Sequence, residues 1–210
     1  MPLKKPITAP AAAARTAAGQ QAKVAELRAT SAEQRWAAAR SLSGYAGALV
    51  ALEEALANET DRRVRAAIFT SLASIDSQES FTVALRYLRA DDAQRHGEAL
   101  EALKLMPDLA LENLEPLLHD ADTDVRILAC NLARDLASPR AARSLAQLLR
   151  SERDLNVCAT AIDVLAETGD PEDLAGLDAC AARFPDEPFL TFSIKTAAQR
   201  IRSRSNPADA

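Results

Sequence analysis

The chain has 210 residues, of which 48% are hydrophobic and only 4% aromatic, and its formal net charge is −5. This length is typical of a single domain, and the low aromatic content favours a core of alanine and leucine. No stretch is long and apolar enough to cross a bilayer, and no apolar leader with a cleavage site opens the sequence. A soluble cytoplasmic protein without membrane contact is therefore expected.

The first 18 residues contain too few large apolar side chains to pack into a core. Their basic, alanine-rich and proline-rich composition predicts a mobile tail, although a basic segment poor in acids also resembles an organelle transit peptide. Val24 and Leu27 then predict a helix that covers the first repeat. The folded region is accordingly expected to span residues 19–202.

Small polar residues recur through the folded region at intervals of 30 to 32 positions. They are Ser31, Asp61, Asp92, Asp122, Asp154 and Asp186. The third position after each, here called the Val slot, is followed by small or aliphatic residues at spacings of four, four and three. Such positions share one stripe of an α-helix, which has about 3.6 residues per turn. Each copy therefore predicts an amphipathic helix whose N-cap is the recurring Asp or Ser.

A second apolar run follows each capped helix, as in residues 49–56 and 109–118. Turn residues such as Ser138-Pro139 and the segment from Gly169 to Pro171 separate the two runs, with Gly169 suited to a left-handed helix end. A pair of helices cannot bury its apolar surfaces alone, whereas a row of pairs can. The sequence thus predicts an all-α fold, an α-solenoid of about five to six helical hairpins.

The last copy of the repeat departs from the frame at its end. Arg200 stands where the other copies have a residue of the core stripe. The arginines in this region are suited to the C-terminal end of a helix, where the helix dipole favours positive charge. Residues 203–210 are predicted to form a second mobile tail.

The repeat frame resembles a known family. The segments 61–68 and 122–129 both read Asp, a short gap, Val-Arg, and then small or aliphatic residues. This pattern is similar to the short bacterial HEAT-like repeat, best known in its cyanobacterial phycobilisome-lyase form. The resemblance covers residues 31–200 and implies the solenoid fold. It does not select a function, because family members serve as scaffolds, adaptors, bilin lyase subunits and DNA-alkylation-repair enzymes.

The resemblance implies that the capped helices line a concave surface on which a protein or peptide partner binds. Positions two, six and nine past the Val slot point away from the core stripe, and position five lies on its flank. The candidate partner-binding residues chosen in this way are Trp36, Arg40, Phe69, Thr70, Gly97, Glu101, Lys104, Asn131, Arg134, Asp163 and Lys195.

Two of these candidates have a structural alternative. Trp36 and Arg40 could form an exposed aromatic–cation hot spot, or Trp36 could pack beneath the N-terminal helix. Gly97 could leave room for a partner's backbone, or it could reflect drift in a tolerant central repeat. The arginines that follow the Val slot, Arg35, Arg65 and Arg126, are expected to pair with a turn Asp of a neighbouring repeat and so form a structural ladder.

No catalytic or metal-binding constellation is recognisable. Cys130, Cys158 and Cys180 are expected to be small buried hydrophobes, with a redox pair of Cys130 and Cys158 as the alternative. His96 and His119 are isolated from cysteine clusters, so no zinc, iron or other cofactor is expected. The chain is accordingly predicted not to be an enzyme.

The charge is unevenly distributed along the chain. Residues 1–40 have seven Lys or Arg against two Glu, and residues 200–210 have three Arg against one Asp, which leaves −12 for the region between. This acidity opposes nucleic-acid binding and suits either solubility or a basic partner segment. The preferred function is a non-catalytic protein-interaction scaffold or adaptor. The alternatives are a bilin lyase-like subunit and a HEAT-like DNA-repair protein.

Overall fold

A computed structural model describes the backbone of residues 9–89 and 93–205, and the side chains of residues 18–89 and 94–205. Twelve α-helices and no β-strand lie within the described ranges. The chain divides into two compact units, one of residues 1–87 and 92–105, the other of residues 88–91 and 106–210.

The first unit is built from two layers of helices. Its helices are α1 (Ala9–Glu26), α2 (Ala32–Ser41), α3 (Leu49–Asn58), α4 (Arg62–Ile75), α5 (Gln78–Arg86) and α6 (Ala93–Lys104). The capped helices stack side by side, α2 on α4 and α4 on α6, while α1 packs on α2. Helices α3 and α5 form the second layer and pack against the capped helices.

The second unit repeats this arrangement. Its helices are α7 (Pro107–Leu118), α8 (Thr123–Leu136), α9 (Pro139–Leu148), α10 (Leu155–Thr168), α11 (Leu174–Arg183) and α12 (Pro188–Ser205). The capped helices α8, α10 and α12 stack in one layer, and α7, α9 and α11 in the other. Each unit thus consists of stacked helical pairs, which confirms the predicted all-α, α-solenoid fold class.

The helices at the two ends extend beyond the predicted folded region. Helix α1 begins at Ala9, within the segment predicted to be a tail, and α12 continues to Ser205. The rest of the two predicted tails, residues 1–8 and 206–210, lies outside the described residues.

Three aspartates of the repeat frame cap their helices as predicted. The Asp61 carboxylate accepts the backbone N–H of Arg63 at 2.8 Å and of Val64 at 3.2 Å, which are donors that the first helical turn leaves unpaired. Asp122 and Asp154 accept equivalent bonds. Ser31 holds the N-cap position without a side-chain bond, and Asp92 lies outside the described residues.

The predicted frame of the last copy is wrong by one residue. Helix α12 begins at Pro188, so Asp186 lies in the preceding turn, and the backbone N–H of Thr191 donates to the carbonyl of Glu187. Proline suits the first helical position because its missing N–H would be unpaired there anyway. With the frame moved by one, the Val slot is Leu190, and the stripe continues through buried side chains. These are Ile194, Ala198 and Ile201.

Glycine does not provide the left-handed helix ends. Asp76 after α4 and Ala137 after α8 have φ of 49° and 43°, whereas Gly169 after α10 has φ of −73°. Gly169 is required for a different reason: a Cβ there would lie 2.7 Å from the carbonyl oxygen of Leu165. The prediction of a left-handed Gly169 is therefore wrong.

The arginines of the frame form the predicted ladder, but with glutamates. The shortest N–O distances are 2.7 Å for Arg35–Glu59, 2.9 Å for Arg65–Glu98 and 2.8 Å for Arg126–Glu152. Each arginine also donates to backbone carbonyls of the loop before its own helix, as Arg65 does to Thr60. The frame aspartates Asp61, Asp122 and Asp154 are not the partners, because their carboxylates are engaged as N-caps.

All three cysteines are free and buried, as predicted. Burial raises the pKa of Cys130 to about 12. The thiols that contact each other belong to Cys158 and Cys180, and their mutual hydrogen bond together with burial raises the pKa of Cys158. The hydrogen-bonded neighbour of Cys158 is thus Cys180, and a redox pair of Cys130 and Cys158 stays a prediction.

Candidate interaction face

The capped helices expose the positions that the repeat frame predicts to be outward. We define the row face of a unit as positions two and six past the Val slot on its capped helices. In the first unit these are Trp36, Arg40, Ala66, Thr70, Gly97 and Glu101. In the second unit they are Ile127, Asn131, Ala159, Asp163, Phe192 and Thr196. Every one of these residues is exposed or half-buried, so the face is open to solvent.

The row face of the first unit contains a groove between α4 and α6, with a volume of about 640 Å³. Ala66, Gly97 and Ala102 form its small-residue floor, and Leu105 at one rim is 59% exposed. A Cβ added to Gly97 would meet no atom within 4 Å. The glycine therefore leaves open space inside the groove and is not forced by internal packing.

Phe69 lines this groove from below. It is only 2% exposed, and its ring packs edge-to-face against Tyr87 with the centroids 5.5 Å apart. Phe69 is at position five past the Val slot, which was expected on the flank of the face. The residues packed around Phe69 bury its side chain instead. A role for Phe69 in binding stays a prediction. In that role, its ring would form part of the apolar floor of the groove.

Trp36 is half-buried and is contacted by two arginines. The guanidinium carbon of Arg40 lies 4.8 Å from the ring centroid, and that of Arg63 from the next capped helix lies 5.6 Å away. The predicted neighbour Arg40 is thus in place, and Arg63 is an addition that the repeat frame did not select.

Glu101 and Lys104 lie on the same helix and pair with each other at 2.7 Å. Because the carboxylate of Glu101 stays largely exposed, this pair lies at the rim of the groove. Thr70, on the opposite wall, donates its hydroxyl proton to the carbonyl of Ala66.

The row face of the second unit is held by an ion-pair network. Arg134 on α8 bridges two carboxylates of α10, Asp163 at 2.6 Å and Glu167 at 3.2 Å. The hydrogen bond to Asp163 raises the pKa of Arg134 above its ordinary value. Asn131 is half-buried beside them. Arg134 and Asp163 were predicted to contact a partner. In the folded unit they join α8 to α10 through an ion pair, and a role in partner binding stays a prediction.

An exposed aromatic pair on α12 was missed by the sequence analysis. Phe189 is 68% exposed and Phe192 is 70% exposed, and they lie three residues apart on one side of the helix. The one-residue error in the last copy had placed Phe189 in the core and selected Lys195, which is exposed but lies at position five of the corrected frame. Pro188 is the sequence signal that could have set the frame correctly.

Among the side chains that the structure describes, no three His, Cys, Asp or Glu residues converge in a way that could hold a metal ion. Of the helices in the described ranges, none combines the length and apolar character needed to span a bilayer.

Comparison with known proteins identifies HEAT repeats in residues 111–189. No curated protein sequence matches the chain significantly. An engineered protein is 21% identical, with 88% of this chain and 97% of that chain covered and a TM-score of 0.43. A designed armadillo repeat protein is 17% identical, with 87% and 99% covered and a TM-score of 0.42.

The complex of CpcE and CpcF of phycocyanin lyase from Nostoc sp. PCC7120 is 14% identical, with 87% of this chain and 94% of that chain covered and a TM-score of 0.38. At such TM-scores none of these three structures supports a conclusion about function. The family match over residues 111–189 and the repeated helical pairs together confirm the resemblance to HEAT-like repeats drawn from the sequence.

Proposed function

We propose that the protein is a non-catalytic cytoplasmic scaffold or adaptor whose row face binds a segment of a partner protein. HEAT repeats generally bind proteins, which supports this class of function. The observation that carries the proposal is the groove of about 640 Å³ between α4 and α6, with open space above Gly97.

The composition of the groove suits a peptide segment. Its floor is made of small and apolar groups, and polar side chains such as Thr70, Gln94 and Glu101 stand around it. Apolar surface supplies affinity, while a few polar groups at fixed positions orient the bound chain. No feature of the described residues favours a lyase or DNA-repair role over this one.

Selection from a displayed library of random peptides, with the full chain as bait, tests the proposal. We expect enriched peptides whose affinity falls at least tenfold in Gly97→Leu, because the leucine side chain would fill the groove. The matched control is Thr82→Leu, which adds a leucine to the second layer at α5. No enrichment, or equal binding to the Gly97→Leu variant, would contradict the proposal.

A further inference from the structure

We infer that the row face of the first unit binds an acidic peptide segment that carries a large apolar side chain. This inference rests on the proposed function and specifies the chemistry of the partner. It departs from the basic partner that the net charge of the chain favours.

The first observation is a group of three exposed arginines, Arg40, Arg62 and Arg63, that have almost no carboxylate partners. Among the described side chains, no Asp or Glu forms an ion pair with Arg40 or Arg62, and Arg63 has only the exposed Glu33 at 3.7 Å. The ladder arginines Arg35 and Arg65, in contrast, are paired with glutamates whose side chains are less than 10% exposed. The exposed arginines therefore keep their donors available for a ligand.

The second observation is the way in which Trp36 holds two of these arginines. A guanidinium held over the face of an aromatic ring can still donate its N–H groups to a carboxylate. It has also lost part of its rotamer freedom before any ligand arrives, which reduces the entropic cost of binding. Arg40 and Arg63 are thus prepared to donate paired hydrogen bonds to carboxylates.

The third observation is that both described carboxylates lining the groove have a cationic partner. Glu98, with a side chain only 9% exposed, pairs with Arg65, and Glu101 pairs with Lys104. The resulting local positive region consists of Arg40 in the last turn of α2 and of Arg62 and Arg63 in the first turn of α4, in a chain whose net charge is −5. Charge complementarity at this face favours an acidic segment.

The fourth observation places an apolar anchor beside the positive region. Arg62 belongs both to the arginine group and to the wall of the groove, whose apolar lining includes Phe69, Ala102 and the exposed Leu105. A peptide with a leucine or phenylalanine in the groove would carry its acidic neighbours toward Arg62 and Arg63. One ligand segment could then engage both features.

The experiment compares three fluorescein-labelled ligands by anisotropy with the full chain. They are a soluble peptide of glutamates with two leucines, the same peptide with lysines in place of glutamates, and a single-stranded DNA oligonucleotide. The variants are Gly97→Leu and the double change Arg62→Glu with Arg63→Glu. The matched control is Arg140→Glu, an exposed arginine on α9 in the second unit.

We expect the acidic peptide to bind best, to bind at least tenfold more weakly to both variants, and to bind the Arg140→Glu control normally. Circular dichroism and urea unfolding verify that each variant folds, and Arg62→Gln with Arg63→Gln replaces the charge reversal if that variant unfolds. Failure of the acidic peptide to bind, binding that both variants leave unchanged, or preferential binding of DNA would overturn the inference. Preferential binding of the lysine peptide, lost in Gly97→Leu, would overturn it while leaving the proposed function intact.

Discussion

At the scale of single residues, a buried glutamate two positions ahead of a cap performs two tasks. Glu59 accepts the backbone N–H groups of Thr60 and Asp61 while it binds Arg35. Glu152 does the same for the loop before Asp154 and for Arg126. The Glu-x-Asp spacing is present in the sequence. Only the folded loop shows that the glutamate side chain is buried while the aspartate caps the helix.

The first prediction concerns Arg126. Lysine cannot reproduce the two-pronged bond to Glu152 together with the bonds to the loop carbonyls, so Arg126→Lys should lower the free energy of unfolding by about 1–2 kcal/mol. Urea unfolding measures this change, with Arg140→Lys as the exposed control. Unchanged stability accompanied by lost partner binding would mean that Arg126 belongs to the interaction surface instead.

The second prediction concerns the pH dependence of stability. The hydrogen bond from Arg35 holds the pKa of Glu59 below its ordinary value of 4.5. A lowered folded-state pKa stabilises the fold above the unfolded-state pKa, and this stabilisation is lost as the pH falls through the folded-state pKa. Glu59→Gln should therefore cost about 1.5–3 kcal/mol at pH 7.

The cost of Glu59→Gln should shrink in acid, because the glutamate of the parent protein also becomes neutral there. Urea unfolding of both proteins at pH 7 and at about pH 3 checks this trend. A stability gap that stays constant over this range would show that Glu59 contributes through its shape and not through its charge.

At the scale of helices, the hydrophobic period predicted how many helices form and that the fold is all-α, because each capped helix has its own apolar core stripe. The frame failed at α12, where Pro188 sets a start one residue later than the repeat interval predicts. The groove between α4 and α6 could not be derived from the period, since its width depends on how closely two helices pack. Gly97 marked its position, but only the folded unit shows that the space above this residue is open.

The third prediction compares two glycines inside helices. A Cβ at Gly176 in α11 would lie 2.3 Å from the carbonyl oxygen of Ala146 in α9, whereas a Cβ at Gly97 would meet nothing. Gly176→Ala should destabilise the protein by about 1–3 kcal/mol through overpacking. Gly97→Ala should stabilise it by about 0.5–1 kcal/mol, because alanine loses less backbone entropy in a helix.

Thermal and urea unfolding of the two glycine variants measure these opposite effects. Destabilisation of similar size in both would indicate that Gly97 is needed by the fold. Its presence would then say nothing about a binding groove.

At the scale of the whole molecule, two units repeat one plan in which the second layer supports the capped helices and leaves their row face open. The sequence predicted this plan and most of the exposed positions, because both follow from the repeat. It did not predict the local charge of the face. Net charge is a sum over the whole chain. A local positive potential depends instead on where individual side chains lie, with Arg40 and Arg63 at Trp36 and Arg62 at the groove.

The most direct measurement is photo-crosslinking in the cells that produce the protein, with a photoreactive amino acid placed at Thr70 or Glu101 on the row face and at Val50 or Glu79 on the second layer. All four positions are exposed in the first unit. Binding through the row face predicts covalent partner adducts from Thr70 and Glu101 and none from Val50 and Glu79. Adducts that form from the second-layer positions, with none from the row face, would contradict it.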